Sequence, residues 1–400
     1  MIPYGKHYID EDDISAVVEV LRHGSLTQGC RVDSFEEHFA AHVGAKYAVA
    51  VSSGTAALHL TCLAAGVRKG DNVVTSANTF VASANCAVFE GASIEFTDID
   101  AHSLNMSVQD LMSRCQHLTK VKAIIPVHFA GLPCDMAAIK TVSDQYGSIL
   151  IEDACHALGS AYACGEKVGS CKYSDMTVFS FHPVKAIAAG EGGMITTNNR
   201  KLYESLIKLR SHGIIHQKLL GDFEGADIER VFASKQEAFE DGKLNPWYFE
   251  MQDLGYNYRL TEIQCELARS QLMKLNRFVS YRKDLVRHYD NCFEDLLNLS
   301  CTQYIQREQS SHHLYVVRIN FTSIGIKRGD FMRRLMKEGV GSQVHYIPVP
   351  MHPYYRLRGF NISDYPETEK YYREALSLPL FFGLTKEQQD LVVRSIKSLL

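Results

Sequence analysis

Short apolar runs alternate with longer segments of helical period over the first half of the chain. Seven of these runs have the length and composition of buried strands. They are Ala48–Ser52, Asn72–Ser76, Ser93–Thr97, Ala123–Phe129, Ser148–Glu152, Met176–Phe181 and Gly193–Thr197. Helix candidates between them include Ala56–Ala65, Val81–Phe89, Val108–Cys115 and Met136–Tyr146. This alternation predicts an α/β fold with a mainly parallel, seven-stranded sheet covered by helices on both faces.

The pattern changes after residue 260. A long helical pattern runs from Thr261 to about Leu297. It is followed, in chain order, by a strand at His312–Phe321, a helix at Arg328–Glu338, a strand at Ser342–Ile347 and two helices. The last helix opens at Thr385–Gln388, which has the spacing of a capping box. We therefore predict a large α/β domain over 1–260, then a linking helix and a small C-terminal α+β domain over 261–400.

The stretch 215–246 departs from both patterns. It carries seven acidic and four basic side chains, and only a short helix around 228–240 is predicted within it. A segment of this length without regular structure is either functional or mobile. We interpret it as an insertion that forms a lid or an interface arm, with disorder as the alternative.

Composition excludes several classes of function. The chain has 42 basic and 46 acidic side chains, which gives no broad field for nucleic acid or an anionic membrane. Its 11 cysteines lack paired metal-ligand spacing, so we expect free thiols in a reducing compartment and no metal site. The first residues lack a signal-peptide pattern, and no apolar run is long enough to span a membrane. These observations predict a cytoplasmic protein.

Lys185 lies on a glycine-rich loop between two predicted core strands, Met176–Phe181 and Gly192–Thr197. An amine held at the end of a buried strand can form a Schiff base. Alternatively, the side chain of Lys185 extends into solvent, as most lysines do.

Two upstream segments favour the chemical interpretation. Ser53-Gly54-Thr55 joins a strand to an Ala/Leu-rich helix, whose N-terminus can bind a phosphate; an ordinary capped helix is the alternative. Asp153 ends the strand at Ser148–Glu152, where its carboxylate can pair with a protonated pyridine nitrogen or cap a turn. A phosphate site, a carboxylate and a lysine in this order are typical of fold-type I pyridoxal phosphate (PLP) enzymes.

Over nearly its whole length the chain resembles the DegT/DnrJ/EryC1/StrS aminotransferases, which place amino groups on nucleotide-linked keto sugars. The segments that carry the resemblance are Leu26–Gly29, Phe35–Glu37, Ser53–Ala57, Thr79–Ala82, Glu152–Gly159, Phe179–His182 with Lys185, Arg210–Gly213, Gly255–Glu262, Val344–Tyr346 and Leu376–Pro379. The resemblance implies the fold-type I PLP-dependent transferase fold.

The resemblance also implies roles for individual residues. Lys185 matches the Schiff-base lysine, which also moves the proton, and Asp153 matches the partner of the pyridine nitrogen. The other cofactor contacts that it implies are His156 at the phenolic oxygen, Phe80 on the ring face, Gly54, Thr55 and Ser180 at the phosphate, and Asn257 reaching the phosphate of a neighbouring subunit. A homodimer with shared active sites is therefore expected. The substrate region is implied at Thr27, Gln28, His182, Arg259, His345 and Tyr346.

The implied reaction is a two-step transamination from L-glutamate to a UDP-linked 4-keto-6-deoxy-N-acetylhexosamine. Within the family, the likeness is greatest to the branch of pseudaminic acid biosynthesis. Another C4 or C3 nucleotide-sugar aminotransferase, such as a perosamine-type enzyme, remains an alternative. A second alternative is a PLP-dependent sugar dehydratase, although histidine replaces the Schiff-base lysine in that branch of the family. A third alternative is a non-catalytic regulator that binds PLP, because a fold alone does not establish function.

Overall fold

The computed structural model describes residues 1–216, 232–304 and 307–400. Its central sheet consists of Tyr47–Val51 (β1), Asn72–Ser76 (β2), Ser93–Thr97 (β3), Val121–Ile125 (β4), Ile149–Asp153 (β5), Met176–Ser180 (β6) and Gly193–Thr197 (β7). The strand order is β1-β7-β6-β5-β4-β2-β3. Only the two pairings of β7, with β1 and with β6, are antiparallel within this sheet of the described chain. The predicted seven-stranded, mainly parallel sheet is confirmed.

Helices cover both faces of this sheet. They are Glu11–His23 (α1), Cys30–Val43 (α2), Gly54–Ala64 (α3), Ala82–Phe89 (α4), Val108–Gln116 (α5), Met136–Tyr146 (α6) and Arg200–Arg210 (α7). Neighbouring strand residues belong to opposite cores: Val73 packs in the core that includes α3, α4 and α7, whereas Val74 packs in the core that includes α2, α5 and α6. Burial on both faces explains why these strands are continuous apolar runs in the sequence.

A buried ion pair lies along the outer edge of β1, which is an edge strand of the sheet. The N–H of Ala50 donates to Glu36 Oε1 at 2.7 Å, and the carbonyl of Ala50 accepts from Arg210 Nη1 at 2.8 Å. Glu36 and Arg210 also bond to each other, and their side chains are only 10% and 12% exposed. The pair therefore occupies backbone groups that a neighbouring strand would otherwise bond.

A hairpin follows α7. Its strands are Ile214–His216 (β8) and Phe249–Met251 (β11), which pair antiparallel. Between them the structure describes Lys235–Ala238 (α8), Phe239–Glu240 (β9) and Lys243–Leu244 (β10). The helix predicted around 228–240 is present over Lys235–Ala238, and the part of the predicted insertion at 217–231 lies outside the described residues.

The C-terminal part forms a smaller sheet with its own helices. Its elements are Glu262–Met273 (α9), Leu275–Phe293 (α10), Leu299–Cys301 (β12), Tyr315–Ile319 (β13), Arg328–Lys337 (α11), Pro353–Arg356 (α12), Pro366–Glu374 (α13), Ala375–Leu378 (β14) and Lys386–Leu399 (α14). Short 3₁₀ turns lie at Phe129–Gly131, Arg307–Gln309, Val349–Met351 and Ile362–Asp364. The sheet order is β12-β13-β14.

Three predictions for this part have different outcomes. The capping box at Thr385–Gln388 is confirmed. The single helix predicted from Thr261 is in fact two helices, which are divided at Lys274. The side chain of Lys274 pairs with Asp10 and Asp13. The strand predicted at Ser342–Ile347 is wrong, because this segment makes one isolated bridge, at Gln343, and the backbone N–H of Tyr346 then bonds to Asn78 of the large domain.

The N-terminal segment crosses from the small sheet to the large domain. Ile2 forms a parallel bridge with Val340, and the carbonyl of Tyr4 accepts from Leu380 N at 3.0 Å. At the other end, Gln271 Nε2 donates to the carbonyl of Tyr8 at 3.0 Å. Between these ends, a Cβ atom built on Gly5 would lie 3.6 Å from Val184, so the segment lies beside the loop that carries the predicted Schiff-base lysine. None of the helices in the described ranges has the length and apolar character of a membrane span.

Candidate active site

The carboxyl ends of β1, β5 and β6 meet at one edge of the sheet, as parallel strands require. A Cβ atom built on Gly54 would lie 2.9 Å from Ser180 Cβ and 3.3 Å from Cys155 Sγ. On the antiparallel strand β7, a Cβ on Gly193 would lie 2.6 Å from the carbonyl oxygen of Ser53. Glycine is needed at both positions, because the side chain of Ser180 leaves no room for a Cβ atom at Gly54 and the backbone of Ser53 leaves none at Gly193.

The turn from β1 to α3 offers an anion cradle. Ser53 Oγ accepts from Ala56 N at 3.0 Å and caps the helix, so the N–H groups of Gly54 and Thr55 precede the first intrahelical bonds. Thr55 is exposed, and the positive end of the helix dipole points the same way. This geometry fits the predicted phosphate contact.

Asp153 is buried at the end of β5 and is oriented by a short hydroxyl chain. Its Oδ2 accepts from Ser83 Oγ at 2.6 Å, and its Oδ1 accepts from Cys155 N at 3.1 Å. A carboxylate only accepts, so the hydroxyl hydrogen of Ser83 is committed to Asp153. Thr79 Oγ1, 2.8 Å from Ser83 Oγ, must therefore be the donor in that second bond.

Lys185 lies within electrostatic reach of Asp153 and Cys155 on the loop after β6. Burial lowers the pKa of its amine, and the nearby carboxylate and thiol only partly offset this effect. The backbone N–H of Lys185 donates to the carbonyl of His182 at 2.8 Å, which fixes the turn. A lysine with a lowered pKa is a stronger nucleophile at neutral pH than an exposed one.

His156 is held as a neutral tautomer facing an aromatic pair. Its Nδ1 accepts from Ala130 N at 3.3 Å, so Nε2 carries the hydrogen and donates to the hydroxyl of Tyr346 at 2.9 Å. The ring of Tyr346 lies 6.0 Å from that of Phe80, which is 55% exposed and is available to cover a planar ligand.

Two further histidines surround the same region. The His313 ring lies 4.3 Å from that of His156, and His345 Nδ1 is 2.8 Å from Ser377 Oγ. Burial first, and then the charge of Lys185, lowers the pKa of His345 to about 3. Burial likewise lowers the pKa of His156 and His313 well below the usual value, so all three imidazoles are neutral at pH 7.

A fully buried network lies beneath the site. Glu152, which precedes Asp153, accepts from Tyr162 OH at 2.6 Å and lies 2.7 Å from His128 Nε2. His128 Nδ1 accepts from Cys134 N at 3.1 Å, so Nε2 is the protonated nitrogen and donates to Glu152. These bonds fix the strand end that presents Asp153.

The structure places the predicted residues in two groups. Gly54, Phe80, Asp153, His156, Ser180, Lys185, His345 and Tyr346 converge through the contacts above. Gln28 and Arg259 line a different cleft of about 330 Å³, beside β1 between α2 and α7. Asn257 is exposed and forms a bridge with Ser211, which lines that second cleft. Thr27 and His182 are exposed.

Several residues of the site were not identified from the sequence. Ser83 lies one helical turn beyond Phe80, and this spacing gave the only available signal for it. Tyr4 reaches the site through the N-terminal segment, with its ring 5.4 Å from that of His345. His313 follows a second histidine in an otherwise strand-like run, and nothing local distinguishes the two.

The residues present fit the predicted PLP cofactor. An anion cradle, a buried carboxylate for a cationic ring nitrogen, an exposed aromatic ring and an amine with a lowered pKa face one region. These are the groups that a phosphorylated pyridine aldehyde requires.

Comparison with protein families matches residues 7–397 to the DegT/DnrJ/EryC1/StrS aminotransferase family. The UDP-4-amino-4,6-dideoxy-N-acetyl-beta-L-altrosamine transaminase of Campylobacter jejuni is 34% identical, with 100% of this chain and 98% of that protein covered. The spore coat polysaccharide biosynthesis protein SpsC of Bacillus subtilis is also 34% identical, over 100% of this chain and 97% of the relative. Helicobacter pylori PseC, a solved aminotransferase involved in pseudoaminic acid biosynthesis, superposes with a TM-score of 0.87 at 28% identity, covering 100% and 98% of the two chains.

Proposed function

The chain belongs to the DegT/DnrJ/EryC1/StrS aminotransferase family and is a sugar aminotransferase, and we propose that it uses PLP to transfer the amino group of L-glutamate to a UDP-linked 4-keto-6-deoxy-N-acetylhexosamine. The product would be UDP-4-amino-4,6-dideoxy-N-acetyl-β-L-altrosamine, for pseudaminic acid biosynthesis and flagellin glycosylation in the cytoplasm. The observation that carries this proposal is the placement of Lys185, with its lowered pKa, beside Asp153 at the carboxyl edge of the sheet.

PLP, when bound, supplies an electron sink for the charge left when a proton leaves the donor's α-carbon. Gly54, Thr55 and Ser180 would hold its phosphate, and Phe80 would cover its ring. The carboxylate of Asp153, fixed by Ser83, would keep the ring nitrogen protonated. Because its Nδ1 is occupied by a backbone N–H, His156 would offer the phenolic oxygen its Nε2–H, which it would share with the Tyr346 hydroxyl.

Lys185 has two tasks in this proposal. Its neutral amine would hold the cofactor covalently, and burial raises the share of that neutral form at pH 7 by lowering the pKa of Lys185. When it is free, the same amine would also take the proton from the α-carbon of the donor and would later give a proton to the sugar carbon that receives the amino group. The neutral histidines nearby add no positive charge that would repel a protonated Lys185.

The identity of the sugar rests on the relatives. The C. jejuni transaminase carries the proposed product in its name, and PseC takes part in the same pathway. SpsC is equally identical to this chain, so a perosamine-type or other C4 or C3 sugar aminotransferase is the second candidate. Retention of Lys185 disfavours the dehydratase branch.

We further propose a homodimer with shared sites. Trp247, Phe249, Met251 and Leu254 on and beside the β11 strand are 59–78% exposed, which is unusual for large apolar side chains. Asn257 lies just beyond them and is exposed. Mixing an Asn257→Ala chain with a Lys185→Ala chain should restore part of the activity. No recovery after demonstrated subunit exchange would contradict sharing.

The decisive experiment is the absorption spectrum of the protein with PLP, first alone and then with L-glutamate. The band of the lysine-bound cofactor should give way to that of its amine form. Candidate UDP-keto sugars are then added one at a time, and only the proposed ketone should restore the first band. Restoration by another keto sugar alone would refute the substrate, and no lysine-bound band at all would refute the enzyme.

A further inference from the structure

A small, positively charged cleft lies between Lys185 and the N-terminal segment of the chain. It measures about 10 Å³ and is lined in part by Lys6, His7, Lys185, Gln271 and Arg282. A space of this size admits one water-sized group, such as a single oxygen of a carboxylate whose other atoms lie at the mouth of the cleft. No Asp or Glu is among its lining residues, all of which belong to the described chain. Lys6 and His7 are exposed, so the cleft reaches solvent there.

Arg282 is a buried cation without a described carboxylate partner. It is 3% exposed, and its Nη1 donates to three neutral acceptors, the carbonyl oxygens of His312, His313 and Leu380, at 3.1–3.4 Å. Its Nε is buried and has no hydrogen-bond partner. Burying a guanidinium without an anion is costly, and burial alone lowers the pKa of Arg282 to about 10. Asp10 and Asp13, which lie near the end of the N-terminal segment, pair with Lys274.

We propose that this cleft binds a carboxylate of the amino donor, with Lys6 at its mouth and Arg282 at its base. This inference rests on the proposed aminotransferase function and names the residues that select the donor. Lys185 must take a proton from the α-carbon, and the α-carboxylate is bonded to that same carbon. An anion that binds beside Lys185 is therefore the carboxylate of the donor. The diphosphate of a sugar nucleotide is attached at C1, across the ring from a C4 ketone, and so lies farther from Lys185.

The test uses the full-length protein loaded with PLP and three probes. L-glutamate is followed by the single-turnover change in the cofactor band. Glutarate, a dicarboxylate without an amino group, and UDP are followed by titration calorimetry. Lys6→Met removes the charge and keeps the apolar stem, Lys6→Arg keeps the charge, and Lys337→Met removes an exposed lysine on the small sheet's helix α11 as the matched control.

We expect Lys6→Met to weaken glutarate binding and to lower the second-order rate with L-glutamate by about tenfold, the usual size of a lost charge-assisted hydrogen bond. Lys6→Arg should recover most of both, and Lys337→Met should change neither. UDP affinity should stay within twofold of the wild type throughout.

Two results would overturn the inference. One is a loss of UDP affinity in Lys6→Met with glutarate binding unchanged, which would assign the cleft to the diphosphate. The other is no change with any probe. If glutarate binding depends on Lys6 but L-glutamate leaves the cofactor band of the wild type unchanged, the carboxylate site stands and the proposed donor reaction fails.

Discussion

The chain of hydrogen bonds from Thr79 through Ser83 to Asp153 predicts which substitution along it destabilises the protein more. Ser83→Ala removes the 2.6 Å bond to a buried carboxylate, and hydrogen bonds to charged groups contribute about 1.5–3 kcal/mol. Thr79→Val removes only the 2.8 Å bond between two neutral hydroxyls, which contributes about 0.5–1.5 kcal/mol. We therefore expect the free energy of unfolding to fall more in Ser83→Ala than in Thr79→Val.

The double variant makes the test sharper. Once Ser83 is alanine, the Thr79 hydroxyl has no hydrogen-bond partner among the described residues, so adding Thr79→Val should cost little more. The assay is urea unfolding of the cofactor-free protein, followed by circular dichroism at one fixed protein concentration, because subunit association would add its own stability. A larger loss in Thr79→Val than in Ser83→Ala, or fully additive losses in the double variant, would refute this chain of hydrogen bonds.

Further outcomes follow from the site. Lys185→Ala should abolish covalent PLP attachment and turnover with an unchanged circular dichroism spectrum; turnover like that of the wild type would refute its role. Asp153→Asn should still bind PLP but transaminate poorly, because a neutral amide pairs weakly with a pyridinium, and a single-turnover rate near the wild type would contradict this. Burial lowers the pKa of Lys185, so the rate of PLP capture should rise with pH and reach half its maximum below pH ~10.4, the ordinary lysine value; a midpoint at or above that value would exclude a buried amine. In the unfolded chain this amine binds its proton more tightly, so the same group should make the cofactor-free protein more stable as pH rises between the folded and unfolded pKa.

The sequence predicted the central sheet well because burial on both faces leaves a strong signal. The strands at Asn72–Ser76, Ser93–Thr97 and Gly193–Thr197 have the predicted bounds. It predicted the small sheet poorly. β14 is only four residues long. The segment beginning at Ser342 has the composition of a strand but pairs with β14 at a single bridge, and Tyr346 N bonds to the large domain.

The same reasoning applies to the site. Residues at strand ends, such as Gly54 and Asp153, could be identified from the sequence because parallel strands end at one edge of the sheet. Ser83, Tyr4 and Lys6 reach the site from a helix interior and from the first residues of the chain. Their positions depend on long-range packing, which no local pattern records.

The ion pair of Glu36 and Arg210 also bears on solubility. An edge strand with free backbone groups can recruit a strand from another molecule and begin aggregation. Here Ala50 has already given its N–H to a carboxylate and its carbonyl to a guanidinium, and Ser52 N is bonded to the carbonyl of Tyr258. At Ala50 and Ser52 the outer edge of β1 is thus occupied by side chains and a loop, which opposes the addition of a further strand there.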